Sequence, residues 1–158
     1  MLAMNTVTTW QTYSRSLDDT LRLGEALGHK LRGGEVIELI SDLGGGKTTF
    51  IRGLAHGMGA DERVASPSFT IARQYQAGKL ALHHYDFYRL DNPGIMTHEL
   101  AESIADPRVV MAVEWPRVVE QVLPTDRLGI TMQVTGEQTR KLEFRAGPKH
   151  EHLLERLP

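Results

Sequence analysis

The sequence contains no cysteine and no long apolar run, and these absences exclude several classes of protein. Without cysteine the chain has no disulfide, no thiolate metal site and no cysteine nucleophile, which suits a reducing cytosol. No segment approaches the roughly 20 apolar residues of a membrane helix, and the N-terminus lacks the basic-then-apolar pattern of a signal peptide. The formal net charge of −2 gives no overall attraction to nucleic acid. We therefore expect a cytoplasmic protein that contacts neither a membrane nor DNA.

The length and composition are those of an ordinary globular protein. The 158 residues are 41% hydrophobic and 24% charged, and they contain no internal repeat and no low-complexity stretch. A chain of this size buries roughly 70% of its unfolded surface in a single core. We expect one domain that spans residues 1–158.

A glycine-rich segment from Ser41 to Thr48 carries the clearest chemical pattern. It reads S-D-L-G-G-G-K-T, which is the phosphate-binding pattern G-x-x-x-x-G-K-[ST] with Ser41 in place of the first glycine. The three glycines allow backbone amides to wrap closely around a polyphosphate. Lys47 can bring a positive charge to the β- and γ-phosphates, and the Thr48 hydroxyl can bind Mg²⁺.

The residues on either side favour this interpretation over a flexible glycine turn beside an exposed lysine. Residues 35–40 before the segment are rich in β-branched side chains and predict a strand. Residues 49–58 after it have apolar side chains at helical spacing and predict a helix. A strand, a glycine loop and a helix in this order are the arrangement that the motif requires.

The remaining pattern predicts an α/β fold: a P-loop NTPase-like three-layer domain with a mixed central β-sheet flanked by helices. The apolar run at 109–113 predicts a strand buried on both faces. A short connection between strands at 69–75 and 79–85 predicts a β-hairpin, so the sheet is mixed. The other expected elements are strands at 6–12, 127–134 and 139–144, and helices at 17–31, 91–104 and 149–157.

Two acidic residues follow predicted strands and are candidates to hold a metal ion or orient water. Asp86 follows the strand at 79–85, and Glu114 ends the most apolar strand of the chain. An unpaired carboxylate at the position of Glu114 would be unfavourable, and a bound cation would offset that. Asp86 has an alternative role, a structural ion pair with Arg89. Adjacent His83 and His84 point to opposite faces of a strand, which argues against a shared transition-metal site.

Four segments of the chain follow in a characteristic order: D-L-G-G-G-K-T-T at 42–49, S-P-S-F-T at 66–70, H-Y-D-F-Y-R-L at 84–90 and V-E-W-P at 113–116. In this order they resemble the bacterial TsaE (YjeE) family of small P-loop ATPases, which are needed to form threonylcarbamoyladenosine in tRNA. The resemblance runs from about residue 16 to residue 128. No single segment is decisive, but the ordered set is highly specific.

The resemblance implies roles for particular residues. It implies that Lys47, Asp86 and Glu114 are catalytic, that Thr48 and Glu114 hold Mg²⁺, and that Trp115 lies close to the active site. It also implies that the segment at 66–70 is a switch-like loop near the γ-phosphate. The residues implied to bind ATP are Asp42, Leu43, Gly44, Gly45, Gly46, Lys47, Thr48 and Thr49.

The resemblance also implies partners. TsaE-like proteins act with the proteins TsaD and TsaB, which carry the transfer chemistry and most of the tRNA contact. This chain would then be an ATP-driven conformational motor that meets tRNA only through the complex. Three positions depart from the usual family pattern: Ser41 replaces a glycine, Gly45 a common alanine and Ser68 a common threonine. If the site of Ser41 needs a positive φ, roughly 1 kcal/mol or a few times that of strain follows.

Three other functions remain open at this point. A small-molecule P-loop kinase would share the loop but would need an acceptor pocket and usually an arginine-rich lid. A GTP-dependent switch is disfavoured because the sequence contains no N-K-x-D motif for guanine. A third possibility is an adaptor that senses ATP without hydrolysing it. No arginine finger is assigned: the candidates are Arg52, Arg73 and Arg89, or a residue of a partner.

Overall fold

The computed structural model describes residues 6–42, 44–61, 71–94 and 96–158, and it shows a sheet of seven strands. The strands are β1 (Thr8–Ser14), β2 (Val36–Ser41), β3 (Ala72–Ala77), β4 (Leu80–Asp86), β5 (Val109–Glu114), β6 (Leu128–Val134) and β7 (Arg140–Ala146). The helices are α1 (Leu17–Gly28), α2 (Lys47–Met58) and α3 (Met96–Ala105), with short 3₁₀ helices at Pro116–Val119 and Glu151–Leu154. These bounds confirm the predicted α/β class.

The strand order is β1-β7-β6-β2-β5-β4-β3, and β2 therefore lies at the centre of the sheet. The four middle strands β6, β2, β5 and β4 are parallel, while β3, β7 and β1 pair antiparallel at the two margins. The predicted hairpin is β3–β4, and it makes the sheet mixed. Strands β5 and β4 lie on the same side of β2, which leads into the glycine segment. The carboxyl ends of β4 and β5 therefore lie on one side of that segment.

Helices cover both faces of the sheet and form the three layers. Leu23 and Leu27 of α1, with Phe50 and Leu54 of α2, pack on one face, where alternate side chains of β2, β5, β6 and β7 complete the core. Leu100 of α3 belongs to a second core on the other face. All six residues of β5 are buried, as its continuous apolar run predicts.

Some predicted boundaries are wrong for local reasons. The helix expected at 91–104 begins at Met96, because the Asn92 side chain accepts a hydrogen bond from the Gly94 N–H and shapes a turn first. The helix expected at 149–157 is only the 3₁₀ turn Glu151–Leu154, where adjacent Leu153 and Leu154 are both buried. Across the described parts of the chain, no helix has the length and apolar character needed to cross a bilayer.

Candidate functional site

The glycine segment turns sharply from β2 into α2, as the strand–loop–helix prediction requires. Gly46 has a φ of 98° and caps the N-terminus of α2, and Gly44 has a φ of 76°. Both angles are in the left-handed region that favours glycine. The first helical hydrogen bond runs from the Phe50 N–H to the Gly46 carbonyl oxygen over 3.0 Å. The amides of the first turn of α2 have no acceptor within the helix and can bind an anion.

Ser41 and Gly45 fit each other closely. The Ser41 hydroxyl donates to the carbonyl oxygen of Asp42 over 2.8 Å. A Cβ added to Gly45 would lie 2.3 Å from Ser41 Oγ and 2.7 Å from Ser41 Cβ. Ser41 does not have a positive φ, so the strain considered for it is absent. The side chain of Ser41 therefore leaves no room for a side chain at position 45, so the serine at 41 goes together with the glycine at 45.

Lys47 is folded back into its own loop. Its Nζ donates to Ser41 Oγ over 2.7 Å and to the carbonyl oxygens of Ser41 and Asp42 over 3.3 Å each. The same atom lies 4.7 Å from the ring centroid of Trp115. Only 7% of the residue is exposed. Burial lowers the pKa of Lys47, and the negative charges of Glu114, Asp86 and Asp42 oppose that shift.

Glu114 is buried but has a partner that the sequence did not reveal. His84 Nε2 lies 2.7 Å from Glu114 Oε2, and the two side chains are 0% and 4% exposed. His84 Nδ1 is buried without a hydrogen-bond partner among the described residues. The geometry favours an imidazole that carries its proton on Nε2 and donates it to the carboxylate. The interpretation that a cation offsets the burial of Glu114 is thus incomplete, because His84 already supplies one hydrogen bond.

Asp86 lies directly opposite Glu114 in the register of β4 and β5. Burial raises the pKa of Asp86, and so does the charge of Glu114, while a hydrogen bond from the Tyr88 N–H and the charge of Lys47 lower it. That hydrogen bond to Asp86 Oδ1 is 3.1 Å long. No ion pair joins Asp86 to Arg89, both of which are described, so the structural alternative for Asp86 is wrong.

Trp115 follows Glu114 in a strained backbone conformation. Its φ of 54° is in the left-handed region, which a large side chain rarely adopts. The ring lies 5.0 Å from that of Tyr88, in addition to its contact with Lys47. Such strain concentrates at functional sites, where the surrounding structure holds it in place.

These groups line one cavity of about 350 Å³ at the carboxyl end of the central strands. Asp42 reaches the site through its carbonyl oxygen, which accepts from Lys47. Leu43 and the segment at 66–70 lie outside the described residues. The predicted site residues that line the cavity are Gly44, Gly45, Gly46, Lys47, Thr48, Thr49, Asp86 and Glu114.

Sequence reasoning missed other residues of the cavity. Its lining also includes Leu17, Tyr88 and Arg140, whereas the arginine candidates Arg52, Arg73 and Arg89 are not part of that lining. Arg140 is the first residue of β7, far from the glycine segment in the chain. The only sequence feature that pointed to Arg140 was its position after a predicted hairpin turn. The sequence does not show that this turn lies beside the glycine loop.

The oxygen donors in the cavity suit a magnesium ion. The Thr48 hydroxyl and the carboxylates of Asp86 and Glu114 are the hard oxygen ligands that Mg²⁺ prefers, and His84 occupies only one of the two oxygens of Glu114. No cluster of three or more His, Cys, Asp or Glu side chains is found in the described ranges. Mg²⁺ usually takes one or two carboxylates and completes its shell with water and phosphate.

The fold and this site together define a P-loop nucleotide-binding protein of the α/β class. The family model described as "Threonylcarbamoyl adenosine biosynthesis protein TsaE" matches residues 14–142. The chain therefore belongs to the TsaE family.

The chain is similar to individual members of this family over most of their length. The chain is 35% identical to the Bacillus subtilis "tRNA threonylcarbamoyladenosine biosynthesis protein TsaE", over 94% of this chain and 92% of the relative. It is 36% identical to the protein of the same name from Treponema pallidum, over 82% of this chain and 95% of the relative. The crystal structure of Bacillus subtilis YdiB superposes with a TM-score of 0.81 and 33% identity, and covers 96% of this chain and 95% of that one.

Proposed function

We propose that this protein binds and hydrolyses Mg-ATP and is required for threonylcarbamoyladenosine modification of tRNA. In the proposal it acts with TsaD and TsaB as a conformational motor and not as the transferase. It meets tRNA only through that complex, and it works in the cytoplasm, where tRNA is modified. Family membership and the names of the relatives support the pathway.

One observation carries the ATPase part of the proposal. A glycine loop, a lysine and two carboxylates from separate strands converge on a single cavity. Lys47 offers the positive charge for terminal phosphates, while Asp86 and Glu114 offer the negative charge that a divalent cation needs. Phosphoryl transfer depends on this combination, because its catalysis is mostly positioning and charge stabilisation.

Each residue has a defined part in the proposed mechanism. The amides at the start of α2 would bind the phosphate oxygens. Thr48 and Glu114 would hold the metal, which would supply positive charge to offset that of the terminal phosphates. Asp86 orients the attacking water or shares in metal binding. His84 fixes the orientation of the Glu114 carboxylate through the 2.7 Å hydrogen bond.

Lys47 must leave its own loop for this mechanism to operate. Its hydrogen bonds to Ser41 and Asp42 occupy the ammonium group and hold it at 7% exposure. A polyphosphate offers stronger, charged acceptors and can replace these contacts. Nucleotide binding is therefore coupled to a reorientation of the Lys47 side chain.

The test is ATP hydrolysis by the purified protein, alone and with TsaD and TsaB. We expect slow hydrolysis alone, faster hydrolysis with the partners, and loss of hydrolysis in Lys47→Ala and Glu114→Ala. Lys79→Ala is the matched control, because Lys79 is an exposed lysine in the β3–β4 turn. It should behave as the wild type does.

Other results would redirect the proposal. ATP binding without any response to the partners would argue against the motor and for a metabolite kinase, which phosphate transfer to a metabolite pool would reveal. A Glu114→Ala protein that still binds ATP and still supports tRNA modification would identify a nucleotide-sensing adaptor instead.

A further inference from the structure

Arg140 brings a second cation to the cavity, and the backbone holds it there. Its Nη2 donates to the carbonyl oxygen of Gly44 in the glycine loop over 3.4 Å. Its Nη1 donates to the carbonyl oxygens of Gly136, Glu137 and Thr139, at 3.1, 3.4 and 2.9 Å. The guanidinium is therefore fixed between the β6–β7 turn and the loop, at one wall of the cavity.

The charge of Arg140 has no carboxylate partner within the described residues. None of the ion pairs there includes Arg140, and every oxygen that its guanidinium contacts is a neutral carbonyl. Its Nε is buried and, in that same part of the chain, has no hydrogen-bond partner. An arginine side chain stays protonated in proteins, so this corner of the cavity carries a fixed positive charge that no carboxylate among the described residues balances.

The strand order shows which end of a nucleotide would meet this charge. Asp86 and Glu114 end β4 and β5 on one side of β2, whereas Arg140 begins β7 on the other side, beyond β6. In P-loop proteins the metal bridges the β- and γ-phosphates. If the two carboxylates hold that metal, the terminal phosphates would lie on their side of the loop, and the nucleoside end of the chain would lie toward Arg140.

We propose that Arg140 binds the phosphate nearest the nucleoside and is the second cationic anchor of the nucleotide, opposite the carboxylates. This inference rests on the proposed function, since it assumes a nucleoside triphosphate in the cavity. Guanidinium groups bind phosphate oxygens through charged, often paired hydrogen bonds, which makes arginine suited to this position.

The test compares binding of ATP and of inorganic triphosphate by calorimetry at fixed salt. Arg140→Gln keeps an amide that can still donate to the turn carbonyls but removes the charge. We expect it to weaken binding of both ligands about tenfold, which is the effect of one charge-assisted hydrogen bond. Arg140→Lys keeps the charge and should lose only about threefold. Arg145→Gln is the matched control, because Arg145 is an exposed arginine of the same strand outside this cavity.

The outcomes separate this inference from the proposed function. The wild type and Arg140→Gln could bind both ligands equally while Lys47→Ala binds neither. That result would support the proposed nucleotide site but overturn the role of Arg140. Weaker ATP binding with unchanged triphosphate binding would also overturn it, because the contact would then be to the nucleoside. A wild-type protein that binds no nucleotide would overturn the proposed function, and this inference with it. Thermal unfolding of each variant, measured in parallel, confirms that the comparison is made on folded protein.

Discussion

Ser41 and Gly45 share one small space between the end of β2 and the glycine loop, and each limits the other. We expect Gly45→Ala to lower the free energy of unfolding by about 1–3 kcal/mol, because its Cβ would lie 2.3 Å from Ser41 Oγ. The double variant Ser41→Gly with Gly45→Ala removes the obstructing side chain and should recover most of that loss. Urea unfolding of the single and double variants measures both effects.

Gly44 provides the control for this prediction. Its φ is 76°, and a Cβ there would meet no atom within 4 Å, so Gly44→Ala introduces backbone strain without a collision. Adding Ser41→Gly to Gly44→Ala should therefore recover nothing. If Ser41→Gly fails to rescue Gly45→Ala either, the two positions are not coupled in the way that the geometry indicates.

The strands β4 and β5 are joined at their carboxyl ends by the buried contact between His84 and Glu114. His84→Leu leaves the carboxylate buried without this donor, and we expect it to lower the free energy of unfolding by about 2–3 kcal/mol. Glu114→Gln should lower it less, because the amide can still accept from His84. Chemical denaturation gives both values.

An exposed histidine–glutamate pair provides the reference for the loss of stability expected at the buried His84–Glu114 pair. His98 and Glu102 of α3 lie 3.1 Å apart with side chains that are 85% and 70% exposed. His98→Leu should change the free energy of unfolding by less than about 0.5 kcal/mol, because surface pairs contribute little. Equal losses at His84 and His98 would mean that burial does not determine the strength of the β4–β5 contact.

His83, on the opposite face of β4, connects that strand to α3 and should make stability depend on pH. Its Nδ1 lies 2.9 Å from Ser103 Oγ. Burial lowers the pKa of His83, and the charges of Asp106 and Glu99 oppose that shift. As the pH falls, His83 is therefore protonated more readily in the unfolded chain than in the folded protein. The contribution of His83 to the free energy of unfolding is full above about pH 6.5 and falls as the pH drops below that value.

Unfolding measured from pH 7.5 to pH 5 checks this expectation. His83→Gln removes the titrating group, so its free energy of unfolding should fall less steeply with acid than that of the wild type. The difference in slope is at most about 1.4 kcal/mol per pH unit for one proton. Parallel curves for the wild type and His83→Gln would show that His83 is not the group involved.

Elements with a local signal were predictable from the sequence, whereas contacts between elements were not. The run at 109–113 and the glycine segment before α2 contain their own signals, so the buried strand and the loop were both predicted. The contact of His84 with Glu114 depends on the register of β4 against β5, and the position of Arg140 depends on the place of β7 in the sheet. No residue near them in sequence encodes those arrangements. The hydrogen bond of His84 to Glu114 and the place of Arg140 at the cavity therefore became apparent only in the folded protein.

At the scale of the whole molecule, the cavity lies where β2, the central strand, meets α2. Phe50, Ile51 and Leu54 of α2 are fully buried against the sheet and α1. The loop therefore cannot open far without disturbing the main core. Under the proposed function, a nucleotide that binds only the folded loop stabilises the entire fold and not just a local segment.

Mg-ATP at 100 times its dissociation constant should raise the free energy of unfolding by about 2.7 kcal/mol. For a domain of this size that corresponds to a rise of roughly 5–10 °C in the unfolding midpoint. Lys47→Ala should show a much smaller rise at the same ATP concentration, and Lys79→Ala the full rise. Chelation of magnesium should reduce the wild-type response, since the Asp86 and Glu114 carboxylates would then face the phosphates without an intervening cation. If instead the midpoint rose equally in Lys47→Ala, with or without magnesium, the stabilising nucleotide would be bound elsewhere on the molecule.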